Sequence, residues 1–151
     1  MSVNPFDPKT VFLAKHAQHV VLIHFPIALF MVGVGFDFVA HWTKNRAMAA
    51  AAYFNFWVAA VSTLPVVATG LIAWQWALEG QKLKGILLMH LVLGCISTVL
   101  LWIVLLIQRR SRSRSEGMTP PYGLLVELLG LLTITLTGHL GGFLSGVNSP
   151  G

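Results

Sequence analysis

Three histidines that interrupt long apolar stretches, His24, His90 and His139, are the residues on which chemistry in this sequence would rest. Neutral imidazole is the least costly ionisable side chain to place in lipid, and it ligates iron, copper and zinc. The three fall at one depth. His24 lies four residues into its stretch, about 6 Å at ~1.5 Å per residue, and His90 follows Ile86 by four. His139 precedes Gly146 by seven, and alternation of the stretches puts all three ends on the same side. Two histidines on facing helices can hold a haem edge-on, each giving one axial nitrogen. His24 and His90 are the expected axial pair and metal ligands, with His139 as the competing cofactor ligand. Ala28, Gly94 and Thr135, each one turn from one of these histidines, leave room for a macrocycle. Pro26 cannot donate to the Leu22 carbonyl, which is left to orient an imidazole N–H. The plain alternative is that each histidine hydrogen-bonds to a neighbouring helix.

The remaining polar residues suggest less. His16 and His19 read as interfacial residues just outside the first stretch, and His41, four after Asp37, as its helix partner. Asp37 and Glu127 lie near Lys44, Arg46, Arg109 and Arg110 in the expected topology, which predicts snorkelling ion pairs. Cys95 reads as a packing residue, and Met31 and Met89 as gap-fillers. One cysteine allows no intrachain disulfide, and no C-x-x-C-H haem-attachment motif exists. No phosphate loop, Ser/His/Asp set or paired catalytic carboxylates occur, so an enzyme is not expected.

The elements that must position these residues follow from composition. The 151-residue chain is 56% hydrophobic and 10% charged, with a mean hydropathy of +0.75. A typical soluble domain is roughly 25% charged. The apolar residues form four blocks, about 20–40, 47–77, 86–107 and 122–146, each near the ~20 residues a bilayer span needs. Short connections favour antiparallel neighbours, so residues 1–151 are expected to form one all-α, up-down four-helix membrane bundle. The second block is longer than needed and contains Pro65, which predicts tilt, a kink or a projecting end. Gly138, Gly142 and Gly146 form a small-residue ridge suited to close helix approach.

The net charge of +5 comes from loop residues without a nucleic-acid motif, so no nucleic-acid partner is expected. Lys44, Arg46, Arg109, Arg110, Arg112 and Arg114 fall on one side, and Lys9, Lys15, Lys82 and Lys84 on the other. The positive-inside rule then places both termini outside the cytoplasm. The N-terminus lacks the order of a signal peptide, so the first block reads as an uncleaved span.

The segment HVVLIHFPIAL, with His19, His24, Phe25 and Pro26, resembles the first span of the bacterial DUF2231 family of four-span membrane proteins, roughly HPllvHFPIAL. Gly70 near the end of the second span, His90 early in the third, and Gly141 and Gly142 late in the fourth also match. Val20 stands where the family has a proline, and His139 lies outside the family pattern. The resemblance implies a bacterial membrane protein of the kind associated with redox or cytochrome-type domains.

The expected function is that of an electron-transfer subunit of a respiratory or photosynthetic complex in the bacterial inner membrane. It would carry one bis-His haem b near the outer face. Its partners would be lipid, other membrane subunits, quinol and an outer-side cytochrome. The alternative is a cofactor-free structural or assembly subunit of a larger membrane complex. A transporter is disfavoured because no internal repeat is visible.

Overall fold

Helix boundaries follow from local chemistry. The computed structural model describes residues 17–76, 78–113 and 118–146, which form α1 (Ala17–Leu22), α2 (His24–Thr43), α3 (Arg46–Trp76), α4 (Gly85–Arg112) and α5 (Pro121–Leu144). Pro26 has no N–H for the Leu22 carbonyl, and the helix breaks beside it, at Ile23. The break is slight, so α1 and α2 together make one span, Gln18–Thr43. Lys44 ends α2 in the left-handed region at φ 54°. Asn45 then caps α3, its Oδ1 accepting from the N–H groups of Ala47 at 2.9 Å and Met48 at 3.3 Å. Pro121 opens α5 at a position where its missing N–H costs nothing.

Four helices are long and apolar enough to cross a membrane: Gln18–Thr43, Arg46–Trp76, Gly85–Arg112 and Pro121–Leu144. They lie close to the four apolar blocks of the sequence. In lipid every backbone polar group needs a partner inside the protein, and a helix supplies it. Their outer faces are apolar: Phe54, Val21, Leu125 and Leu132 are all more than half exposed. Trp42 and Trp76, exposed at span ends, suit the interfacial zone, as does Trp74, whose indole donates to the Gln81 carbonyl at 3.0 Å.

The bundle is built as two helical hairpins. The first span packs most extensively on α3, and α4 on α5, with slighter contact between the pairs. The buried positions repeat between the hairpins. On α2 they are Pro26, Phe30, Gly33, Val34, Asp37 and Ala40. On α4 they are Ser97, Leu101, Val104, Leu105, Gln108 and Ser111. These sets coincide under a shift of 71 positions (26 to 97). The same shift carries Ala52, Phe56, Ala59 and Thr63 of α3 onto Gly123, Glu127, Gly130 and Ile134 of α5. The expectation of no internal repeat is therefore corrected. The repeat lies in burial rather than residue identity, so it is faint in the letters. Both hairpins run in the same sense, the parallel type of repeat whose axis lies along the membrane normal.

The core between the hairpins is apolar at mid-depth. Phe30, Phe56, Leu101, Val104 and Ile134 form it, with the Phe30 and Phe56 rings 5.4 Å apart. Gly33 and Gly130 admit these rings, since a Cβ at either would lie 2.8 Å from one of them. Polar side chains gather toward the two ends of the core.

Candidate functional site

At one end, two histidines take the same position in the two halves. His19 and His90 are related by the 71-position shift, and each reaches a carbonyl 47 residues further on. His19 Nδ1 lies 3.1 Å from the Val66 carbonyl oxygen and 3.3 Å from Thr69 Oγ1. His90 Nδ1 lies 3.0 Å from the Thr137 carbonyl oxygen. A carbonyl only accepts, so each Nδ1 carries the proton and donates it. In the neutral ring each Nε2 then keeps its lone pair, the state of a metal-ligating imidazole.

The two rings face each other edge to face, with centroids 6.4 Å apart and planes at 90°. Contact between equivalent residues puts them astride the approximate twofold axis of the bundle. A glycine backs each ring. A Cβ on Gly70 would lie 2.9 Å from His19 Cε1, and one on Gly141 would lie 3.2 Å from His90 Cε1. Each glycine follows its histidine's carbonyl acceptor by one helical turn. Carbonyl and glycine thus form the same cradle twice.

The structure therefore faces His90 with His19, not with His24. The His24 ring is exposed and its Nδ1 lies 3.3 Å from the Val21 carbonyl, one residue from the Leu22 carbonyl expected to orient it. His139 is also exposed and stands edge-on to Phe143, 5.1 Å between centroids. His19 lies within the first candidate span, Gln18–Thr43, rather than before it. His16 lies outside the described residues. Cys95 is exposed on the bundle surface and is not packed inside. Among the described residues, no three His, Cys, Asp or Glu side chains are grouped to hold a metal ion. Among the described residues, His19 and His90 are the two side chains that such a site would use. The glycine that holds His90 is Gly141, off the Gly138–Gly142–Gly146 ridge. Gly138 instead faces Ile27, and Gly146 lies past the end of α5.

His19, Gly70, His90 and Gly141, which meet in these cradles, are also the positions that carry the family resemblance. A family model described as a predicted membrane protein, DUF2231, matches residues 15–148. The chain belongs to the DUF2231 family. No curated protein and no solved structure matches it. In this DUF2231 chain the family match runs through all four spans and takes in both cradles.

The opposite end of the core holds carboxyl and amide groups. Asp37 and Glu127 are each 1% exposed, and their carboxyl groups lie near enough to interact. Gln108, the counterpart of Asp37 in the second hairpin, donates through Nε2 to Glu127 Oε1 at 2.9 Å and to Thr119 Oγ1 at 2.7 Å. Lys44, Arg46, Arg109, Arg110 and Arg112 are exposed. The expected snorkelling of these acids toward the interface is thus corrected. Their carboxyl groups turn inward, because Gln108 and the opposing acid offer partners on the core side. Eighteen residues separate His19 from Asp37, about 27 Å along a helix, close to the ~30 Å of a hydrocarbon core.

Proposed function

We propose that this chain is a haem b-carrying subunit of a bacterial inner-membrane redox complex, with His19 and His90 as the residues that would hold the haem. The pairing of His19 with His90 carries this reading. Their ring centroids stand 6.4 Å apart, between the two hairpins. The fixed Nδ1–H tautomers and the twofold relation of the rings support the same use. When bound, the haem supplies one-electron chemistry.

The protein's own part is to hold and orient. The Val66 and Thr137 carbonyls fix both imidazoles in the ligating tautomer. Gly70 and Gly141 let the rings lie against helix backbone. The site lies toward the end of the spans nearest both termini, which the positive-inside rule puts outside the cytoplasm. One site at that depth would exchange electrons laterally, between quinol or a partner's cofactor and an outer-side cytochrome. The chain is then a carrier and not an enzyme.

A second reading has its own observation. Both imidazoles already have an acceptor on the next helix, so they also serve as straps within each hairpin. A cofactor-free structural subunit would need nothing more. A reduced-minus-oxidised absorption spectrum of the detergent-purified protein, with metal analysis, separates the two. The haem reading expects a Soret and an α band with about one iron per chain. Blank spectra and blank metal analysis would leave the strap as the whole role of the pair.

A further inference from the structure

We propose that Asp37 and Glu127 form a proton-binding site, holding one proton between their carboxyl groups at neutral pH at the end of the core opposite the histidines. This stands independently of the haem reading. Both side chains are almost wholly buried, at 1% exposure, and near enough to interact. Ionised carboxylates only accept hydrogen bonds, so two neighbouring carboxyl groups can be joined only through a proton. Asp37 Oδ2 and Glu127 Oε2 are both buried without a hydrogen-bond partner, so two acceptors lack a donor. Gln108 does not supply it. Its amide nitrogen is taken by Glu127 Oε1 and Thr119 Oγ1, and it approaches neither orphan oxygen.

The surroundings favour retention of the proton. Two uncompensated negative charges at this depth would be costly, and one shared proton leaves a single charge. Gln108 from α4 bonds Glu127, Thr119 before α5 bonds Gln108, and His41 lies one turn beyond Asp37 in sequence with its Nδ1 also unpartnered. The basic side chains of this end are exposed, and the Arg112 guanidinium lies over the Tyr53 ring at 4.7 Å. The proton comes from water at the nearby interface and returns there on release, with no other bond made or broken.

Infrared spectroscopy of the full chain in detergent or lipid nanodiscs tests this directly. The sequence has five acidic residues, and the other three, Asp7, Glu79 and Glu116, lie outside the spans. The wild type is expected to show a protonated-carboxyl C=O band at neutral pH that resists deuterium exchange. Glu127→Gln and Asp37→Asn should each lose that band while keeping the helical circular dichroism of the wild type. Absence of the band in the wild type at neutral pH would overturn the proposal, and this holds whether or not the variants fold. So would persistence of the band in both folded variants. Thermal stability that rises with sodium at constant ionic strength would assign the orphan oxygens to a metal cation instead.

Discussion

His19 and His24 differ by five residues, which on an α-helix sets them about 140° apart around the axis. That angle, and not their chemistry, decides which one meets His90. Depth was legible in the sequence, because hydropathy marks where a span begins and the rise per residue does the rest. Facing was harder to see. The signal that finds it is a heptad step: 19, 26, 33 and 40 share one face with 30 and 37, and His24 is off it. The same step runs from His90 through Ser97, Leu101, Val104, Gln108 and Ser111. The glycine cradles give a prediction at this scale. Gly70→Ala places a methyl 2.9 Å from His19 Cε1 and must displace the ring or the helix. Thermal unfolding in detergent should show a loss of about 1–3 kcal/mol. Gly141→Ala, whose closest contact is 3.2 Å, should cost less.

Span existence and order were readable because the bilayer leaves the backbone few choices. Blocks expected at 47–77 and 122–146 are the helices Arg46–Trp76 and Pro121–Leu144. The ends are set by caps, and the Asn45 cap is the clearest of them. Asn45→Ala should destabilise the protein by about 1 kcal/mol, measurable as a lowered unfolding midpoint, while Asn45→Asp should retain most of the stability. The carboxyl groups were misjudged at this level for a physical reason. Sequence proximity to Lys and Arg suggests an outward ion pair, but Asp37 lies on the buried face of α2 and Glu127 on that of α5. Inside that core the Gln108 amide is the nearer partner. Removing the Glu127 carboxyl without replacing it, as in Glu127→Ala, leaves a cavity and an unpaired amide. It should cost about 2–4 kcal/mol, whereas the neutral isostere Glu127→Gln should stay close to wild-type stability.

At the scale of the molecule the repeat explains the placement of both polar layers. Two hairpins that bury equivalent positions bring equivalent residues together at the axis between them, as in a symmetric dimer. His19 meets His90 there, while Asp37 and Gln108 both converge on Glu127. The repeat escaped the sequence because few residues are shared between the halves. His19 with His90 and Gly70 with Gly141 are the pairs that keep both identity and role. Since contacts are densest within each hairpin, the two should fold as separate chains and associate. Co-expressed fragments divided in the loop between Trp76 and Gly85 are expected to co-purify in detergent. Recovery of only separate hairpins would show that the covalent loop is needed.

The account depends most on the choice of ligand pair. Haem content of His19→Ala, His90→Ala, His24→Ala and His139→Ala, read from the reduced-minus-oxidised α band at equal protein, tests that choice. The expected result is loss of the band in His19→Ala and His90→Ala, with the band retained in His24→Ala and His139→Ala. A band that survives in His19→Ala and disappears in His24→Ala would contradict the account.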